Sequence, residues 1–307
     1  MSSILDRAAK IKTQPGARPP AAVEISPEGV LAAALSAAGG APAYAFVPLP
    51  VDTVTPSVDA ANLHAPEAVS AAIRSALDQV SPRSRVATLV VPDAVVRVFM
   101  LDFDTLPPKS AEALPVMRFR LRKTVPFDVE QAGVSYQILS QTKDQCKVLA
   151  AIIPGPVLAE YEAVVRAAGY EPGAVLPSSL AAIETVDAME AVLAANLSSR
   201  GITTLISNGQ ELLLYRNLDL PEDAGERARE IARTIAVATA YYEDRLGAMP
   251  TKLYYTGNRE AAEFSTWLGE TELPVIELAS KPQSGAMTSL GEGSIAGVTG
   301  ALAGATA

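Results

Sequence analysis

Two side chains in this sequence could make a nucleophile and its base: Cys146, the only cysteine, and His64, the only histidine. A thiol attacks readily once a neighbouring imidazole has taken its proton. Spacing speaks against the pair. Cys146 opens the apolar run Cys-Lys-Val-Leu-Ala-Ala-Ile-Ile, which reads as a strand, while His64 sits in a loop just ahead of a helix opened by Pro66. The expected roles are a small strand residue and a loop residue. One thiol and one imidazole also fall short of a zinc ligand set, and a lone cysteine excludes an internal disulfide. No catalytic residue and no metal ligand is expected.

The other concentration of chemistry is basic. Arg118, Arg120, Arg122 and Lys123 lie at the end of a predicted helix in a chain whose net charge is −9. Arg118 and Arg122 are four apart and share a face. That face is either solvated, with long stems lying along the helix, or a docking surface for a partner. The acidic whole argues against nucleic acid, which requires a basic surface to neutralise phosphates.

With 307 residues, 49% apolar and 19% charged, the chain can bury ample core and suits two packed domains. No stretch approaches the ~20 apolar residues of a membrane span. The opening residues lack the apolar core of a signal peptide. The expected location is cytoplasmic, with membrane contact made through partners. Residues 1–20 carry Lys10, Lys12, Arg18, Pro15, Pro19 and Pro20. They read as a flexible segment; a basic amphipathic anchor using Ile4, Leu5 and Ile11 is the alternative.

The elements that position these residues follow from periodicity. Apolar runs at 21–25 and 30–35, separated by Ser-Pro-Glu-Gly, predict a hairpin, and 44–49 a third strand. Pro66 opens a helix with Val69, Ile73, Leu77 and Val80 on one face. The continuous run 86–91 predicts a strand buried on both sides. Then come a strand at 95–101, a helix at 110–123 that Pro115 either delays or kinks, and a hairpin of 134–139 with 147–153. A helix from Gly155-Pro156 ends at Gly169. A short strand at 174–176 leads to a helix capped by Ser178 or Ser179 and carrying Leu180, Ile183, Val186, Met189 and Leu193.

The opening pattern then returns. Strands at 202–207 and 211–217 flank Asn208-Gly209, a strong hairpin signal. A long helix spans 223–246, then a strand at 252–256, a helix at 259–268, a strand at 274–277 and a small-residue helix at 294–302. Each half reads hairpin, helix, strand, helix, strand, helix, and 93–153 reads as an insertion into the first. The expected fold is α/β with two related subdomains and an inserted α+β module.

This order resembles the actin-like (ribonuclease H-like) ATPase superfamily, and within it the PilM-like proteins of type IV pilus and type II secretion assembly platforms, with MshI-like and ComA-like proteins nearby. The resemblance rests on Leu106-Pro107, Thr124-Val125-Pro126-Phe127-Asp128, Tyr136 in its strand, Leu149-Ala150-Ala151-Ile152-Ile153-Pro154 and Ala167-Ala168-Gly169-Tyr170-Glu171-Pro172. Leu253-Tyr254-Tyr255-Thr256-Gly257 and Ala296-Gly297-Val298-Thr299-Gly300-Ala301-Leu302 extend it. It implies a first actin-like subdomain at 21–92 and 154–200, the module at 93–153, and a shortened second subdomain at 201–307.

The resemblance also implies a nucleotide site, and the loops depart from it. ATP-binding relatives carry Asp-Ile-Gly in each hairpin, the glycine admitting phosphate to backbone N–H groups and the acid holding the metal shell. Here Glu24 stands for the aspartate and Ser26 for the glycine; Pro27 removes a donor and Glu28 adds negative charge. The expected lysine is absent. The second loop is read at Asn208-Gly209, with neither aspartate nor glycine-rich run. The third reads Thr256-Gly257-Asn258, with one glycine of its usual pair replaced. Glu24, Ser26, Asn208, Gly257 and Asn258 are thus either solvated turn residues or a residual, degenerate nucleotide site. No cofactor is expected; ATP with magnesium is the alternative.

The function the resemblance implies is an adaptor that binds the cytoplasmic N-terminal segment of a PilN-like bitopic membrane protein, with Arg118, Arg120, Phe127 and Tyr136 near the groove. A pilus motor ATPase and self-association are further possible contacts. An ATP-binding switch or weak ATPase of the same machinery stands second, and a sugar or metabolite kinase third. Fold alone does not choose among them.

Overall fold

The computed structural model describes residues 18–36, 41–186, 190–209, 211–269, 273–279, 293–303 and 305. Two five-stranded sheets share one plan. In the first, β1 (Ala21–Ile25) pairs antiparallel with β2 (Gly29–Ala34), and β2 with β3 (Ala43–Pro48). On its other edge β1 runs parallel to β4 (Val86–Val91), and β4 to β8 (Glu171–Pro177). The second sheet repeats this with β9 (Ala191–Leu197), β10 (Gly201–Asn208), β11 (Glu211–Asp219), β12 (Leu253–Gly257) and β13 (Val275–Glu277), in the order β11-β10-β9-β12-β13.

Helices cover these sheets where the apolar spacing predicts. Helix α1 (Pro66–Val80) starts on a proline, whose missing N–H has no intrahelical partner to lose at that position. Its Val69, Ile73, Leu77 and Val80 are buried against Val23, Ile25 and Leu89 of the first sheet. Helix α3 (Gly155–Ala167) joins the same core through Val157, Tyr161, Val164 and Val165, and Gly169 closes it at φ +89°. Helix α5 (Ala224–Leu246) begins where the Asp223 carboxylate accepts the Glu226 N–H at 2.9 Å, and ends on Gly247 at φ +69°. With α6 (Ala261–Trp267) it covers the second sheet. There Phe264 stacks on Tyr255 with ring centroids 4.3 Å apart.

Between β4 and α3 lies the inserted module: β5 (Arg97–Phe103), α2 (Ser110–Leu121), β6 (Gly133–Gln141) and β7 (Cys146–Ile153), with sheet order β5-β7-β6. Strand alternation gives the sheet two apolar faces. Val148, Ala150 and Ile152 pack under Met117 and Leu121 of α2. Leu149, with Val98, Met100 and Leu139, packs against Val192, Ala194, Leu205 and Leu212 of the second half. A Lys147–Glu211 ion pair at 2.9 Å reinforces that contact. The module therefore bridges both halves. Pro115 lies inside α2, which already runs from Ser110, so the late start is excluded.

Four expectations are corrected. The helix from Ser178 is short: α4 (Ser178–Ala182) passes into one 3-10 turn at Ile183–Thr185, Met189 lies outside the described residues, and Leu193 sits in strand β9. The periodicity misleads because β9 is apolar on both faces: Leu193 and Leu197 enter the α5 side, while Val192 and Ala194 face the module. Neither serine caps the helix. Second, the second sheet begins at Ala191, not 201. Third, the last helix, α7 (Ala296–Ala303), packs on the first half, its Val298, Ala301 and Leu302 against Ala22, Leu31, Ala33 and Val90. Arg18, placed in the flexible segment, is buried; its Nη1 donates to the Gly300 carbonyl at 3.4 Å and its Nη2 lies 3.9 Å from Glu184 Oε1.

Candidate functional site

Between the two halves lies a cavity of about 510 Å³. Each half contributes a hairpin corner of the same form. In the first, Ser26 N donates to Gly29 O at 2.9 Å, and Gly29 N reaches Ser26 Oγ at 3.3 Å. In the second, Ser198 N donates to Gly201 O at 2.9 Å, and Gly201 N reaches Ser198 Oγ at 2.9 Å. The glycines make room for the third strand. A Cβ on Gly29 would lie 2.5 Å from Val47 O, and one on Gly201 2.8 Å from Leu218 O. Both corners therefore direct backbone N–H groups inward to close their own turns.

This overturns the placing of the second loop at Asn208. That residue is exposed at the far end of β10, paired with Glu211 and Ala191, and is absent from the cavity wall. The Asn-Gly signal is a true hairpin, but it joins the second and third strands. The corner facing the cleft is Ser198-Ser199-Arg200-Gly201, preceded by Asn196 at the place Glu24 holds in the first half. The structure does bring Glu24, Ser26, Gly257 and Asn258 together around the cavity.

Glu24 projects from β1 toward α7. Ser178 Oγ donates to its Oε1 at 2.6 Å, and the carboxylate lies against Gly297, where a Cβ would come within 2.3 Å of Glu24 Oε2. Burial pushes the Glu24 carboxyl up to about 7, with Ser178 pulling it down and the charges of Asp93 and Glu28 adding to the rise. At the cleft mouth Asn258 Nδ2 donates to Glu28 Oε1 at 2.8 Å, joining the halves. Gly257 is needed for strand packing, since a Cβ would lie 2.6 Å from Leu197 O.

Asp93, which sequence reasoning passed over, sits at the centre. It opens the 3-10 turn after β4 and is buried. Its Oδ1 accepts Ser179 N at 3.0 Å and Ser179 Oγ at 2.9 Å; its Oδ2 accepts Asn196 Nδ2 at 3.0 Å and Thr203 Oγ1 at 2.8 Å. Asn217 Nδ2 donates to Thr203 Oγ1 at 2.8 Å, which leaves the threonine proton for Asp93. Burial pushes the Asp93 carboxyl up, and these donors pull it back in part. Burial also holds the Tyr215 hydroxyl, 3.1 Å from Ser179 Oγ, well above its usual range.

Several features of the cavity wall oppose a nucleotide triphosphate. Its negative charge would face Glu24, Glu28 and Asp93, two corner N–H groups are committed in each turn, and Pro27 has none. Arg259 is the one cation lining the cavity among the described residues. Among the described residues no cluster of three or more potential metal ligands occurs.

The residues expected at a partner surface lie in the inserted module. Arg118 donates to the carbonyls of Val129 and Glu130, and Arg122 pairs with Glu130. Those two cations hold the segment after α2. Arg120 is exposed, and Phe127 and Tyr136 are half-buried against the module core. Phe119, unremarked in the sequence, is 72% exposed beside Arg120. Cys146 is buried in the module core while His64 is exposed in the loop before α1, and no hydrogen bond joins them. Among the described residues no helix is long and apolar enough to cross a membrane.

Paired sheets of this order around a central cleft, with first and second strands joined by matching corners, define an actin-like fold, and solved structures agree. The chain is similar to a PilM–PilN type IV pilus biogenesis complex at 18% identity and TM-score 0.70, covering 94% of this chain and 98% of that one. It is similar to the cytoplasmic domain of EpsL, an inner-membrane component of the type II secretion system of Vibrio cholerae, at 14% identity and TM-score 0.50, covering 92% of each. A Bacteroides thetaiotaomicron protein with an actin-like ATPase fold and unknown function matches at 12% identity and TM-score 0.51, over 84% of this chain and 89% of that one. No protein-family model and no curated protein matches the sequence.

Proposed function

We propose that this chain is a cytoplasmic adaptor of a type IV pilus or type II secretion assembly platform, held at the inner face of the inner membrane by its partners. It binds the cytoplasmic N-terminal segment of a PilN-like bitopic protein and does not hydrolyse ATP. The observation that carries the non-enzymatic reading is the cleft, whose carboxylates and self-closed corners oppose a triphosphate. The likeness to a PilM–PilN complex supports the class of partner. The bound segment lies along the inserted module, near Arg120, Phe127 and Tyr136, with Arg118 shaping the neighbouring loop. An extended peptide there adds backbone hydrogen bonds and fills side-chain pockets. A motor ATPase and a second copy of the chain are further partners of such a platform.

The test is fluorescence anisotropy with a labelled PilN-like N-terminal peptide. Saturable binding is expected, weakened about tenfold, or ~1.4 kcal/mol, by Arg120→Glu and by Tyr136→Ala. Unchanged affinity in both variants removes those residues from the groove, and no binding by the unaltered chain rejects the partner. In parallel, titration with labelled ATP and magnesium is expected to give no saturable signal. The second reading, an ATP-binding switch or weak ATPase, is favoured by the survival of a cavity of about 510 Å³ at the cleft; tight, saturable nucleotide binding would establish it.

A further inference from the structure

We propose that Asp93 is a built-in anion: its carboxylate fills the anion-binding position between the two halves and holds the cleft closed without any ligand.

The donors come from both sides. Asp93 itself follows β4, and Ser179 follows β8, both in the first half. Asn196 lies on β9 and Thr203 on β10, in the second half. An ionised carboxylate offers about four acceptor positions, and here each oxygen receives two donors. Of those donors the Ser179 backbone N–H cannot accept, and Asn196 presents its Nδ2 rather than its oxygen. As they stand, all four donors point at the carboxylate, the set an ionised Asp93 uses in full. Charge-assisted hydrogen bonds are about twice as strong as neutral ones, and removing the anion leaves several polar groups buried without partners.

Wherever a cleft closes around a bound anion, closure depends on that ligand's concentration. Here the anion is covalently part of the chain, so its effective concentration is fixed. The Glu28–Asn258 hydrogen bond at the mouth and the module packed across both halves act in the same direction.

The experiment uses the full chain and a chemical rescue. Asp93→Ala leaves a cavity that a formate ion can enter. The Ser179 amide should exchange about 10- to 100-fold faster in Asp93→Ala than in the unaltered chain, as expected for a buried donor left unpaired. The melting temperature should fall. Sodium formate should restore at least half of both losses at an ionic strength where sodium chloride restores neither, and should leave the unaltered chain as chloride does. Equal effects of formate and chloride would overturn the proposal, as would unaltered exchange at Ser179. Should Asp93→Ala not fold, Asp93→Asn carries the test. Its carboxamide keeps the shape but points a donor at Ser179 or Asn196, so melting should fall and Ser179 exchange should quicken. Values for Asp93→Asn matching the unaltered chain would also overturn it.

Discussion

Gly300→Ala is expected to destabilise the fold by about 3 kcal/mol or more, the upper range for forcing atoms into packed structure. Gly300 lies in α7 where that helix crosses α4. A Cβ at this position would sit 1.8 Å from the Ala181 carbonyl oxygen and 2.7 Å from its carbon, and backbone cannot swing aside as a side-chain tip can. The opposing effect is helix propensity, in which alanine exceeds glycine by about 1 kcal/mol. The clash is the larger quantity, so the sign is set. Separation of α7 would uncover Ala22, Leu31, Ala33 and Val90 and remove Gly297 from beside Glu24. The cleft would thus lose a wall as the sheet loses a cover. Chemical denaturation gives the stability change, and hydrogen exchange over Ala296–Ala303 should show α7 opening first. Gly293→Ala is the control: a Cβ there meets nothing within 4 Å, so a change within about 0.5 kcal/mol is expected. Equal effects of the two substitutions would reject the crossing as the cause.

The sequence made legible whatever has a local cause. Pro66 and the four- and three-residue apolar spacing after it define α1; Gly169 and Gly247 end their helices in the left-handed conformation that the structure gives them. The first hairpin and the module's strands follow from apolar runs between turn residues. What escaped notice depends on pairing across the chain. Strand β9 has no polar face to betray a period of two, because the module covers the face that would otherwise meet solvent. Misreading β9 displaced the second corner to Asn208. A repeated signal was nevertheless present: Glu24-Ile25-Ser26-Pro27-Glu28-Gly29-Val30 and Asn196-Leu197-Ser198-Ser199-Arg200-Gly201-Ile202 share serine and glycine at the same spacing, flanked by apolar residues. Asp93 had no such signal. It is one acid between Pro92 and Ala94, and its importance arises only where β8, β9 and β10 deliver donors to it. Arg118 and Arg122 show the reverse case: their spacing was visible, but their use within the module depends on where residues 129 and 130 return.

Glu24→Gln is expected to flatten the pH dependence of stability by up to about 3 kcal/mol. The carboxyl moves from 4.5 to about 7 on folding, and each unit corresponds to about 1.4 kcal/mol between protonation states. The sign follows from proton counts. Below pH 4.5 the group is protonated in both states and contributes no difference. Between pH 4.5 and 7 the unfolded chain releases its proton while the folded chain retains it, so stability falls as pH rises. Above pH 7 both are ionised and the loss is complete. Part of the Glu24 side chain still meets cleft water, which makes about 3 kcal/mol an upper bound. Asp93 is shifted in the same direction, so some slope should persist in the variant. A glutamine oxygen can still accept from Ser178 Oγ, and the substitution preserves side-chain size beside Gly297. Denaturant titrations of both chains from pH 4.5 to pH 8 should therefore diverge across that interval, with the variant the more stable at the alkaline end relative to the acid one. Parallel curves would mean that the carboxyl ionises as freely in the fold as in water. The cleft would then carry its full negative charge at every physiological pH, and burial of Glu24 beneath α7 would not be what raises its pKa.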